Sequence, residues 1–186
     1  MSKILVDTID TRSGTSTLTL GSTNAGTIAL GSGDVQSNFL YPAFEVYLSS
    51  EQSISNATYN KAQYDSKSWD TDNAFDNTTN YRFTVPSGKA GKYAFYSTVV
   101  FDDINNGQIG ILRPYKNGSS ISNSPGPAQL NQVYSSGSAH NIYVNYYGVL
   151  DLAVGDYIEM FLYQNTGAAI NARSTNTQFG GFRIGT

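Results

Sequence analysis

The chain has 186 residues, enough for one large domain or one domain plus an extension, and its 39% apolar content can fill a real core. Only 13% of residues are charged, about half of the usual share of roughly 25%, and the formal net charge of −3 comes with no basic patch, which excludes a nucleic-acid surface. Cysteine is absent and His140 is the single histidine, so disulfides, thiolate catalysis, the usual structural zinc sites and a histidine-based metal centre or triad are excluded too.

Gly, Ser, Thr, Asn and Tyr fill the balance, a mixture suited to strands, turns and contact surfaces. No stretch of ten or more residues joins helical periodicity to strong helix formers, so the chain reads as all-β. It begins Met1-Ser-Lys-Ile-Leu-Val-Asp7, where the apolar run before the first acidic residue is too short for a signal peptide. No stretch reaches membrane-spanning length. The expectation is a protein made in a cytoplasm, not exported by that route, without membrane insertion, and able to act outside a cell as part of a particle. Residues 1–15, with Ile4, Leu5, Val6 and Ile9, read as an attachment segment.

Residues 16–40 read as a short β stalk. The run from Ser16 to Gly33 carries no charge, and Thr17-Leu-Thr-Leu-Gly-Ser22 returns as Thr27-Ile-Ala-Leu-Gly-Ser32. Leu18 and Leu20, then Ile28 and Leu30, alternate with small or polar residues, which places each pair on one face of a short strand. An isolated hairpin of this size is marginal in water. Three copies with these apolar faces turned to one axis would form a closed prism. The alternatives are a hairpin packed on its own domain, or a disordered segment.

Residues 41–186 have a different texture. Short alternating runs recur at 44–48, 81–85, 93–101, 108–112, 142–147, 148–152, 157–163 and 178–184. Asn106-Gly107, Asn117-Gly118 and Gly155-Asp156 supply turns between them. Eight or more short strands at this spacing predict a sandwich or barrel, with Pro86, Pro114, Pro125 and Pro127 at strand ends or in loops.

Four motifs in order carry a resemblance. Phe75-Asp-Asn-Thr-Thr-Asn-Tyr-Arg-Phe-Thr-Val-Pro86 followed by Gly91-Lys-Tyr-Ala-Phe95 resembles the signature of the complement C1q/tumour necrosis factor family. Leu112-Arg-Pro-Tyr-Lys-Asn-Gly118, Leu150-Asp-Leu-Ala-Val-Gly-Asp156 and Phe179-Gly-Gly-Phe182 resemble its later motifs. The resemblance implies a ten-stranded jelly-roll sandwich that trimerises through an aromatic-rich inner face. It implies motif positions in the core at Phe75, Phe83, Gly91, Tyr93, Phe95, Gly155, Asp156, Phe179, Gly181 and Phe182. Two departures are an extra Ser-Gly-Lys-Ala before Gly91, and Ser97 where an aromatic is common. The glycines at 180 and 181 predict a close backbone approach or a bulge. With its N-terminal start and Leu-Thr-Leu-Gly-Ser repeats, the whole chain resembles fibre proteins of tailed phages, which implies a trimeric virion fibre or spike on tail or capsid.

Candidate chemistry is sparse. Asp70, Asp72 and Asp76 surround Trp69, and Asp102-Asp103 precede a turn, but the twelve-residue calcium-loop pattern is absent and solvated turns are the simpler reading. No metal or cofactor is expected, and no catalytic residue is assigned. Tyr143 and Tyr147 share one strand face opposite Val144 and Tyr146, so the strand is expected to be buried on both faces, with Tyr143 and Tyr147 as trimer-interface candidates. Trp69, in a polar loop, Tyr134 and His140 are candidates for contact with a receptor, a host-surface glycan or protein. Other virion structural proteins are the expected partners of the N-terminal segment. Two competing functions are a bacterial extracellular lectin-like or adhesive C1q-type module, which needs an export signal, and a glycan-active enzyme, which needs a convergent acidic pair.

Overall fold

A computed structural model describes residues 42–121, 130–133 and 140–185. The attachment segment, the stalk residues Leu18, Leu20, Ile28 and Leu30, and Tyr134 lie outside the described residues.

The described residues form strands and turns without a helix. In chain order the strands are β1 (Ala43–Tyr47), β2 (Gln52–Ile54), β3 (Asn60–Lys61), β4 (Ser66–Asp70), β5 (Phe75–Asp76), β6 (Arg82–Thr84) and β7 (Gly91–Ile104). They continue with β8 (Ile109–Lys116), β9 (Ser119–Ser120), β10 (Leu130–Val133), β11 (His140–Leu152), β12 (Tyr157–Gln164), β13 (Ile170–Ala172) and β14 (Gln178–Gly185). The described strands therefore number fourteen instead of ten, because several two- and three-residue strands interrupt the loops.

Two antiparallel sheets result. The first runs β2-β13-β7-β14-β1-β4, with β11 paired along the other side of β7. The second runs β10-β8-β12-β6-β5, with β3 added on β12 and β9 on β8. Residues 142–147 and 148–152, expected as two strands, form the single strand β11. Gly148 stays in register opposite Phe95, and pairing continues to Leu152 opposite Gly91.

Period-two alternation builds the core between the sheets. Phe44 stands at its centre, with Phe83 at 4.9 Å, Phe179 at 5.1 Å and Phe75 at 5.3 Å between ring centroids. Tyr93 and Phe95 extend the same cluster. Phe182 does not join them. It follows Phe179 by three residues, so it projects from the opposite face of β14 and is half-buried there. Gly91 and Gly181 are buried. Gly155 adopts a positive φ of 84° in the turn before β12. Asp156 lies in that turn, not in the core: its carboxylate accepts from the Ala153 amide at 2.9 Å and the Asn117 side chain at 2.7 Å, and pairs with Lys116 at 2.7 Å.

Three local departures have physical reasons. Ser97 is buried where an aromatic was the alternative, because Tyr64 enters the space from the neighbouring segment. The Tyr64 and Ser97 hydroxyls lie 3.0 Å apart, and Ser97 donates to the Gln178 carbonyl at 2.8 Å. Pro114 lies inside β8, not at a strand end. Its carbonyl accepts from the Ile121 amide at 3.3 Å, so its nitrogen points to that same side, away from β12. There the short strands β9 and β10 cover only residues 115–116 and 109–112 of β8, so no ladder bond to β12 is lost. Trp69 belongs to β4 and not to a loop, paired opposite Glu45.

Candidate self-association face

The strand register of the first sheet sets its outward side chains in rows. One row crosses five strands: Tyr147 of β11 opposite Tyr96 of β7, Tyr96 opposite Gly180 of β14, Gly180 opposite Glu45 of β1, and Glu45 opposite Trp69 of β4. On one side of it lie Asn145, Thr98, Gln178 and Tyr47, and on the other Val149, Ala94, Phe182 and Ala43. Tyr143 opposite Val100 adds a further apolar pair. The only charged side chain in these rows is Glu45; Asp151 and Lys92 pair at the margin.

Glycine at 180 makes the central row possible. A Cβ there would lie 2.4 Å from the Tyr96 ring. Without one, Tyr96 reaches across β14 and its hydroxyl donates to Glu45 Oε2 at 2.9 Å. Burial, and then the adjacent carboxylate, push the Tyr96 phenol well above its ordinary value, so it remains a protonated donor. Its ring stacks on Tyr147 at 6.4 Å. Thr98 donates to Asn145 at 2.8 Å. A hollow of about 340 Å³ lies among Tyr96, Thr98, Asn145, Tyr147 and Gln178.

This face is open in the single chain. Tyr147 is 75% exposed, Val149 53%, Tyr143 51%, Trp69 43% and Tyr47 40%. Within one chain β11 is therefore buried on its core face alone. Ile142, Val144 and Tyr146 are buried, but the Tyr143/Tyr147 side is not. Tyr143, Tyr147 and Trp69 share the face, while His140, the remaining described receptor candidate, sits exposed at the start of β11 opposite Ile104, and the set does not converge on one spot. Tyr96, Glu45, Tyr47 and Val149 were not singled out from sequence. Alternation from Tyr93 and Phe95 turns Tyr96 outward, but only the register of five strands puts it beside Glu45 and Tyr147.

The acidic residues do different work. Asp70 accepts from the amides of Ala74 and Phe75 at 2.9 and 3.0 Å and from Lys67 at 2.9 Å. Asp76 accepts from the amides of Thr78, Thr79 and Asn80, which hold its carboxyl far below the usual range. Asp102 pairs with Arg173 at 3.2 Å. These carboxylates organise turns and an ion pair. Among the described residues no group of three His, Cys, Asp or Glu side chains is placed to hold a metal.

No protein-family model and no curated protein matches the chain. Solved structures do. Murine APRIL matches with a TM-score of 0.53 at 14% identity, covering 76% of this chain and 98% of that one. Eiger, a TNF from S. frugiperda, matches with a TM-score of 0.53 at 14% identity, covering 76% of this chain and 91% of that one. The globular domain of zebrafish complement 1qA is 21% identical over 77% of this chain and 97% of its own, with a TM-score of 0.49. At these identities what is shared is the fold, an all-β jelly-roll sandwich of two antiparallel sheets.

Proposed function

We propose that this TNF-type jelly roll is the self-associating head of a homotrimeric fibre or spike protein in a bacteriophage virion. In this reading its first fifteen residues join other virion proteins, the repeat forms the stalk, and the head faces the host surface. The role is structural and adhesive, not catalytic. The observation that carries self-association is the central row Tyr147-Tyr96-Gly180-Glu45-Trp69 with the apolar row Val149-Ala94-Phe182-Ala43 beside it. Tyr47, Tyr143, Tyr147, Trp69 and Val149 left open on a sheet with one central charge mark an interaction surface, because a solitary domain seldom exposes so large an apolar patch. Tyrosine also supplies contact area at low conformational cost. The virion assignment rests on the resemblance of the N-terminal repeats to phage fibres, and several trimers on one particle would raise weak contacts to useful avidity.

Light scattering after size exclusion tests the assembly. The full chain should give a mass near 60 kDa, three times 20.1 kDa. Tyr147→Glu leaves the core untouched and places three carboxylates in the interface, so it should give a folded species of 20.1 kDa. A wild-type monomer at micromolar concentration refutes the assembly. Immunogold electron microscopy of purified particles tests the location, and absence of label from virions refutes that part.

A further inference from the structure

A second hollow, of about 470 Å³, lies apart from the rows of the first sheet and is lined by Leu48, Ser50, Glu51, Gln52, Ser53, Asn60, Lys61, Gln63, Asp65 and Tyr81. Its size falls within the roughly 300–1,000 Å³ of small-ligand sites, but its lining is polar where such sites are usually apolar. The donors and acceptors fall into two sets. One set builds the walls. Gln52 donates to the Lys61 carbonyl at 2.7 Å and accepts from the Gln63 amide at 2.9 Å. Asn77 donates to the Asp65 carbonyl at 2.7 Å, which ties the turn leading to Tyr81 against that wall. Lys61 Nζ donates to the Asn80 carbonyl at 3.2 Å and pairs with Glu159, whose side chain is 5% exposed.

The other set is available. Among the described residues the hydroxyls of Ser50, Ser53 and Tyr81 and the side-chain amide of Gln63 make no hydrogen bond, the Gln63 backbone N–H being the group that Gln52 takes. One Glu51 oxygen accepts from the Asn171 side-chain amide at 2.9 Å, and the other accepts no hydrogen bond from the described residues. Tyr81 is half-buried and holds a φ of +50°, a strained left-handed conformation rare for an aromatic residue. A glycine or asparagine would relieve that strain; a tyrosine there keeps an aromatic surface at the hollow.

The charges narrow the ligand. Glu51 and Asp65 are acidic, and the Lys61 ammonium is already met by Glu159. Burial opposes ionisation of Asp65, but the hydrogen bonds to its carboxylate, led by two from Ser49, together hold it below the usual range. Phosphate, sulfate and carboxylate ligands are therefore repelled. A group dense in hydroxyls, each both donor and acceptor, with an apolar C–H face for an aromatic ring, fits amides, serines, a half-used carboxylate and Tyr81.

We infer that this hollow binds one neutral pyranose unit of a glycan, with Tyr81 against the sugar's C–H face and Gln63, Ser53 and Glu51 bonding its hydroxyls. This deepens the host-surface part of the function proposed above, but it rests on other residues. Loss of sugar binding leaves the oligomer intact, and a monomeric chain could still bind sugar, so the two ideas fail separately.

Ligand-detected saturation-transfer NMR on the full chain tests it with the methyl glycosides of glucose, galactose and N-acetylglucosamine, and with glucuronate as the anionic arm. At least one neutral sugar should show transfer with a Kd in the millimolar range, and glucuronate none. Tyr81→Gly should match or exceed the wild-type unfolding midpoint, because strain is relieved, yet weaken the sugar at least tenfold. Gln63→Ala, an exposed change, should weaken it severalfold. No transfer from any of the three neutral sugars, equal transfer from glucuronate, or undiminished binding by Tyr81→Gly overturns the inference.

Discussion

Replacing Gly181 by alanine isolates the packing of the aromatic core. Gly181 faces inward, and an added Cβ would sit 2.5 Å from Phe95 Cδ1, 2.9 Å from its Cε1 and 3.0 Å from the Ala94 carbonyl oxygen. The Phe95 ring cannot retreat, because Phe83, Tyr93, Phe179 and Phe44 surround it with centroids at 5.7, 6.0, 6.0 and 6.4 Å. Overpacking costs about 1–3 kcal/mol, and confinement on this scale belongs at the upper end. The loss of glycine entropy from the unfolded chain returns about 0.4–1 kcal/mol. The net cost is about 2 kcal/mol, or a fall in Tm of about 4–8 °C for a chain of this length. Urea and thermal unfolding at one fixed protein concentration measure it, since association would otherwise shift the midpoint. Combining Gly181→Ala with Phe95→Leu should recover part of the cost, as a coupling within about 0.5–3 kcal/mol. A Gly181→Ala protein as stable as wild type, or more so, refutes the reasoning, because only the entropy gain would then be acting.

Gly180→Ala pushes outward into Tyr96, which can swing away; the Glu45 bond is lost for about 1 kcal/mol of stability, and light scattering should show weakened assembly. Ser97→Ala leaves the fully buried Tyr64 hydroxyl without a partner and should cost about 1–3 kcal/mol in urea unfolding. Lys61→Met strands the buried Glu159 carboxylate and should cost about 3 kcal/mol, whereas the double change Lys61→Met with Glu159→Leu should be close to neutral. Asp156 is held at about 2, below its ordinary 3.8, chiefly by the side-chain bonds from Lys116 and Asn117. Its folded value is the lower one, so its contribution is complete above pH 3.8 and disappears as pH falls towards 2; Asp156→Asn should flatten the urea midpoint across that window.

The fold was legible because alternation reports which residues face together, and Tyr93, Phe95 and Phe179 needed nothing more. Alternation does not report which strands are neighbours. The row from Tyr147 to Trp69 joins residues more than one hundred positions apart through four separate registers, and no local pattern encodes that. Phe182 was misplaced for a related reason: the motif Phe-Gly-Gly-Phe looks symmetrical, yet a spacing of three reverses the face. The short strands escaped because two or three residues carry too little periodicity. Trp69 looks like a loop residue in sequence because its polar neighbours belong to an edge strand, where polar side chains are ordinary. The mid-strand position of Pro114 is hidden in sequence because a proline's tolerance depends on which side of the strand lacks a partner, and that is decided far away along the chain.

β11 runs thirteen residues, and among the described residues β7 is the one strand hydrogen-bonded to it. A strand edge of this length, wherever it is left unpaired, is an adhesive template for any extended chain. An open margin there invites end-on zippering into sheets, so the protein's solubility during synthesis depends on how quickly that margin is covered.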